Sequence, residues 1–201
     1  MASDKGSLAG ITVLDLGQIY NGPYATFLMA MAGSRVIKVE SLMGETLRGR
    51  GETSAAAYPF MLLNQNKESL SIDLKTDQGK DIFRQLVTKA DVVLENFSPD
   101  TMTKLGLSAT SLLELNPALI YAAGSGYGRS GPHRDFQAMD LTVQAMSGVM
   151  STTGYDGTPP LKAGVPLCDF FGGVHLYGAI VTALFERTTT GKVAIIDMAM
   201  Q

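Results

Sequence analysis

The sequence predicts an α/β fold: an open, largely parallel, Rossmann-like sheet with helices on both faces. Two observations carry this. Short β-branched runs alternate along the whole chain with segments of helical period. The first three elements follow the order strand, helix, strand, which implies a right-handed parallel crossover. A chain of 201 residues, 45% hydrophobic and 17% charged, is globular in composition and long enough to bury a substantial core, so one α/β domain is expected over 1–201.

The elements follow in order. Residues 11–16 (ITVLDL), bounded by Gly10 and Gly17, read as a strand. Asn21-Gly22-Pro23 supplies an N-cap and a first-turn proline for a helix over 24–31, and Ala32-Gly33-Ser34 ends it. Residues 35–40 (RVIKVE) form the second strand. Residues 41–60 lack a period and read as a long loop, the kind that is often functional. A weak strand is expected over 70–74, then a helix over 76–90 with Ile82, Phe83 and Leu86 on its apolar face. Residues 91–95 (DVVLE) read as a buried strand, 110–115 as a short helix stopped by Asn116-Pro117, and 118–123 (ALIYAA) as the next strand. A helix is expected over 139–150. A long one follows over 170–187, from the spacing of Phe170, Val174, Tyr177, Val181 and Leu184, and 193–198 closes as a strand.

Bulk properties narrow the function classes. A net charge of −3 gives no reason to expect a nucleic acid or an anionic membrane as partner. A single cysteine rules out an internal disulfide framework and suits a reducing compartment. The first ten residues lack the apolar segment of a signal peptide, and no uninterrupted apolar stretch approaches the roughly 18 residues of a membrane helix. A cytoplasmic location is therefore expected.

Several candidate sites are weak. GSGYGRSGP (124–132) follows a strand, but the third glycine of a dinucleotide fingerprint falls on Arg129, and Pro132 argues against a helix directly after it. It reads better as a glycine-rich turn where backbone approaches a ligand or another segment. His133 and His175 are far apart, no Cys/His spacing matches a zinc motif, and no metal is expected. Cys168 and His175, seven residues apart on one helix, stand roughly 10 Å from each other, too far for a nucleophile–base pair. Asp169 is different. It starts the long helix beside Gly172 and Gly173, and a carboxylate there is either a helix cap or a nucleophile. The helix N-terminus favours its anion, and free first-turn amides are placed to stabilise an oxyanion. The residue pattern permits both roles.

Several segments, in order, choose between them: LAGITVLDLG, NGPYAT, VIKVE, LNQNKESLSIDLK (63–75), ADVVLENFSP (90–99), NPALIY before SGYGRSGP, QAMSGVMSTTG (144–154) and AGVPLCDFFGGVHLYGAIVTALFERTTTGK (163–192). Together they resemble the class III CoA-transferases, the family of formyl-CoA:oxalate transferase and carnitine CoA-transferase, which also includes α-methylacyl-CoA racemase. The resemblance implies that Asp169 is a covalent nucleophile passing through a mixed anhydride and an aspartyl-CoA thioester. It implies coenzyme A as cofactor, entering as an acyl-CoA, with a small carboxylic acid as the other substrate. The matching coenzyme A positions are Ile19 and Tyr20, Leu63, Asn66 and Lys67, and Asn96 and Phe97, with Lys104 near where the family often places a phosphate-binding arginine.

Three departures qualify the match. Ser41 stands where the family commonly has arginine after the second strand, with Arg48 and Arg50 as nearby substitutes. Met139 stands where the racemase branch has its histidine base, and a thioether exchanges no proton, so transfer is favoured over racemisation. Family members run to roughly twice this length and interlock as homodimers. A truncated chain lacking the small domain is therefore expected, either active as a transferase or reduced to a non-catalytic coenzyme A-binding module.

Overall fold

The computed structural model describes residues 6–49 and 58–201. Among these residues, six strands form one all-parallel sheet: β1 (Thr12–Asp15), β2 (Arg35–Glu40), β3 (Lys67–Ser71), β4 (Val92–Glu95), β5 (Ile120–Ser125) and β6 (Ile195–Ala199). Their spatial order is β3-β2-β1-β4-β5-β6, so the sheet reverses its winding between β1 and β4. Such a switch point opens a crevice at the carboxyl ends of the strands, where ligands of open α/β sheets bind.

Among the described residues, seven α-helices accompany the strands: α1 (Asn21–Met31), α2 (Tyr58–Leu63), α3 (Asp77–Val87), α4 (Thr101–Lys104), α5 (Ala109–Leu115), α6 (Asp140–Met146) and α7 (Leu167–Thr190). Alternate residues of the central strands feed two cores. Leu14, Val93, Tyr121 and Ala123 pack with Phe83 and Val87 of α3, Met102 of α4 and Leu112 of α5. Val13, Val92, Leu94, Ile120 and Ala122 pack on the opposite face with Ala25 and Met29 of α1 and Leu176 and Ile180 of α7. Helices thus cover both faces, as the alternation of elements predicts.

Local differences from the sequence-based expectation have identifiable causes. β3 begins at Lys67, three residues before the expected start, because a buried ion pair rather than an apolar run anchors its first residue. The expected loop over 41–60 contains a 3₁₀ turn (Thr46–Gly49) and the start of α2, while its residues 50–57, including Arg50, lie outside the described residues. In α3 the buried face is Gly79, Phe83 and Val87, one step round from the expected stripe, and Ile82 is exposed. The expected helix over 139–150 stops at Met146; Gly148, at φ +85°, turns the chain into a 3₁₀ segment.

The largest difference is in α7. Its buried side is Gly172, Leu176, Ile180 and Leu184; of the expected stripe only Leu184 is buried, while Phe170, Tyr177 and Val181 are half-buried and Val174 is exposed. Two glycines let α1 approach closely: a Cβ on Gly173 would stand 2.8 Å from the Asn21 carbonyl oxygen. Asn21 is not a cap but the first residue of α1, its side chain buried between α7 and β5. Among the described residues α7 is the one helix long and apolar enough to cross a membrane; here that apolar side packs on α1 and on β5 and β6.

Candidate active site

The crevice at the β1/β4 switch point is a cavity of about 310 Å³. Gln18 and Ile19 follow β1, Asn96–Pro99 follow β4, and Gly124–Gly126 follow the middle of β5. The opposite wall comes from Arg134 and from Phe136–Met139, the segment leading into α6, and Asp169 of α7 faces the same space. The glycine-rich turn therefore serves as backbone wall of a site, one of the two roles its sequence allows.

Asp169 is the third residue of α7, not its cap. The cap function belongs to Asp140, 29 residues earlier, at the first position of α6. Its Oδ1 accepts hydrogen bonds from the backbone amides of Cys168 (2.8 Å) and Asp169 (3.2 Å). Those are the first-turn amides expected to stabilise an anion at Asp169, and Asp140 occupies them instead. Burial, together with the nearby Asp140 charge, pushes the Asp169 carboxyl up to about 7. A carboxylic acid poised at neutral pH, in a crevice and without a hydrogen-bonded side-chain partner among the described residues, is the arrangement expected of a reacting group rather than a structural one.

Asn21 completes the nucleophile's setting. Its Nδ2 donates to the Asp169 carbonyl oxygen (3.3 Å), while its Oδ1 is buried with no partner among the described residues. Cys168 is buried beside it, and burial pushes the thiol up, which makes it a poor nucleophile. His175 is exposed, and His133 stacks on Phe136 at 4.9 Å between centroids.

The other sequence-derived positions divide. Ile19, Asn96 and Phe97 line the cavity with Asp169. Asn96 is held there by a reciprocal pair, Oδ1 accepting from Gln18 N (2.7 Å) and Nδ2 donating to Gln18 O (2.9 Å). Ile19 adopts φ +64°, and its amide donates to Glu45 Oε1 (2.9 Å). Tyr20 packs against Phe170, with centroids 5.8 Å apart, outside the lining. Leu63 is buried at the end of α2, and Asn66, at φ +61°, turns the chain into β3. Lys67 is sealed inside the protein: its ammonium donates to Asp15 Oδ2 (2.9 Å), Thr26 Oγ1 (2.7 Å), Asn64 Oδ1 (3.0 Å) and the Pro23 carbonyl (2.9 Å). Lys104 ends α4, exposed at the surface.

Arg48, a candidate substitute for the arginine absent at Ser41, makes a two-bond ion pair with Glu40 (2.6 and 2.7 Å) and lies 4.0 Å over the Phe60 ring. A second cavity, about 230 Å³, adjoins the first through Gln18 and Phe97, which line both. Leu16, Val39, Ile72, Leu74 and Leu105 make it an apolar slot, with Ser41, Asp73 and Lys75 among its polar residues. Sequence reasoning did not single out residues 72–75; their place directly after β3, at a strand's carboxyl end, was the available signal. Among the described residues, no group of three His, Cys, Asp or Glu side chains is placed to hold a metal ion.

The family model for CoA-transferase family III matches residues 8–201. The chain belongs to CoA-transferase family III. Similar curated members include a formyl-CoA:oxalate CoA-transferase of Streptomyces avermitilis, 38% identical over 97% of this chain and 48% of that protein. A succinate–glutarate CoA-transferase of Agrobacterium fabrum is 41% identical over 100% of this chain and 52% of that protein. Among solved structures, a CAIB/BAIF family protein from Brucella suis superposes with a TM-score of 0.93 at 37% identity, covering 98% of this chain and 53% of that one. This family III chain therefore spans about half the length of the relatives it matches.

Proposed function

We propose that this chain carries the nucleophile and much of the coenzyme A site of an acyl-CoA:carboxylate CoA-transferase, with Asp169 as the covalent nucleophile. The observation that carries the reading is the place of Asp169: a carboxyl group poised near neutrality, facing the switch-point cavity of a family III fold. The ionised oxygen attacks the thioester carbonyl of an acyl-CoA. The C–S bond breaks, leaving a mixed aspartyl anhydride and coenzyme A thiolate. The thiolate then attacks the aspartyl carbonyl, releasing the first acid as its carboxylate and forming an aspartyl-CoA thioester. The acceptor carboxylate attacks that thioester, restoring an anhydride and the thiolate. Attack of the thiolate on the acceptor's carbonyl releases the new acyl-CoA and returns Asp169 as carboxylate.

The two adjoining cavities suit the two ends of coenzyme A. The reacting thioester belongs beside Asp169, Asn96 and Gly124–Gly126, and the apolar slot beyond Phe97 suits an adenine ring. Lys75 lines that slot, and Lys104, next in sequence to its lining residue Leu105, is a second candidate point charge for phosphate. Met139 lines the cavity where a racemase would need a base, which supports transfer. We also take the chain as one α/β domain, since both cores share a single sheet.

The test is incubation with formyl-, acetyl- and succinyl-CoA, trapping with hydroxylamine, and mass spectrometry of the peptide containing Asp169. Modification at Asp169 supports the reading. Calorimetric coenzyme A binding without any adduct would instead assign this chain the role of a binding module.

A further inference from the structure

Asp140 does not act alone. Gln144, one turn further along α6 and 1% exposed, donates from Nε2 to Asp140 Oδ2 (2.6 Å) and to the Val165 carbonyl (3.4 Å). Its Oε1 accepts from the Ala163 amide (2.8 Å). A continuous chain of hydrogen bonds thus runs from the segment before α7, through Gln144 and Asp140, to the amides of Cys168 and Asp169. The chemistry needs these two residue types. An amide at 144 donates to Asp140 and accepts from Ala163 at once, whereas a carboxylate at 140 is acceptor-only and so suits two amide donors.

We propose that Gln144 is a positioning residue of this site, acting through Asp140 to set the placement and proton affinity of Asp169. The inference rests on the reading of Asp169 as nucleophile. The relay ties the start of α7 to α6, and it fills the helix N-terminus with a fixed negative charge. Both acts withhold from Asp169 the stabilisation a helix start ordinarily gives an anion. Among the described residues, Asp140 from α6, Cys168 from the same helix and Arg134 from the wall of the same cavity are the titratable or charged groups facing Asp169; α1 contributes uncharged Asn21, the β5 end Gly124–Gly126 and the segment after β6 Met200.

Two near-isosteric substitutions test this in opposite directions. Asp140→Asn removes the charge beside Asp169 and lowers its titration midpoint by about one pH unit or more, the usual effect of losing a close like charge. Gln144→Glu adds a second buried acid to the relay and raises the midpoint. The midpoint is read directly by carboxyl ¹³C NMR, which needs no turnover, and in parallel by the pH dependence of adduct formation with acetyl- and succinyl-CoA. A merely structural role would change thermal stability and leave the midpoints together. Equal midpoints in wild type and both folded variants overturn the relay. Opposite NMR shifts in a protein that forms no adduct at any pH overturn Asp169 as nucleophile, and with it any positioning for catalysis.

Discussion

Lys67 and Asp15 form a buried ion pair, Nζ to Oδ2 2.9 Å, with 1% and 0% of their side chains exposed. The pair joins the first residue of β3 to the last of β1 across β2, and Thr26 of α1 bonds both partners. Burial drives the Asp15 carboxyl up, but Lys67 and Lys38 outweigh it and hold the group below its ordinary value. Burial pulls the Lys67 ammonium down to about 8 despite Asp15. Removing Lys67 takes from Asp15 its hydrogen-bonded counter-charge and leaves it only the influence of Lys38. Lys67→Met is therefore expected to destabilise the fold by about 3–5 kcal/mol, and adding Asp15→Asn to recover part of that loss, both measured by urea unfolding. A loss of coenzyme A affinity with unchanged stability would instead place Lys67 at the ligand.

Asp169 costs the folded state stability in the working pH range. Its folded pKa, about 7, lies above the ordinary 3.8, so the folded protein holds the extra proton between those values. The stabilising contribution is complete below pH 3.8 and is lost as pH rises through 7. At about 1.4 kcal/mol per pH unit the upper bound is about 4 kcal/mol. Asp169→Asn is therefore expected to stabilise the protein by about 1–4 kcal/mol at pH 8, with the gain vanishing near pH 4. Denaturant midpoints at the two pH values measure it.

Packing around Asn21 gives a third stability test. A Cβ on Gly124 would meet Asn21 Oδ1 at 2.5 Å, and one on Gly172 would come closer still to Nδ2. Gly124→Ala and Gly172→Ala are each expected to cost about 1–3 kcal/mol, with loss of adduct formation as Asn21 of α1 is forced away from β5 or from α7. Gly178→Ala, in the same helix with nothing within 4 Å, is expected to be stabilising by about 0.5–1 kcal/mol. Thermal melts of the three variants separate a packing effect from a general intolerance of α7.

Phe97 lines both cavities, and its amide is held by Glu95 Oε2 (2.8 Å). If coenzyme A spans the two, Phe97→Ala weakens its binding about tenfold, the loss of an aromatic contact worth about 1–1.5 kcal/mol. Calorimetry with coenzyme A and with the smaller pantetheine measures this. Equal affinity of wild type and variant for coenzyme A would remove the second cavity from the binding path.

The sheet is legible because its central strands announce themselves: VLDL, VIKVE, VVLE and IYAA are rich in β-branched and other apolar residues, although Asp15, Lys38, Glu40 and Glu95 within them are buried only with partners elsewhere in the chain. Signals failed where a partner decides the structure. Lys67 opens β3 only because Asp15 receives it, and Gly172 lies on the buried side of α7 only because Asn21 faces it. Short α4 carries too few residues to show a period. At the site, the residue pattern around Asp169 allows both cap and nucleophile, and only the family resemblance distinguishes them. The true cap, Asp140, lies 29 residues away, a separation no local pattern spans.

A covalent bond at Asp169 is the central proposed step. Quenched reactions with ¹⁸O-labelled water in the hydroxylamine-free arm, and peptide mass spectrometry in the trapped arm, identify the acylated residue directly. The predicted result is a hydroxamate on Asp169, forming faster as pH rises from 6 to 8 through the group's midpoint near 7, and absent in Asp169→Asn. An adduct on another residue, or one that persists in Asp169→Asn, would contradict it.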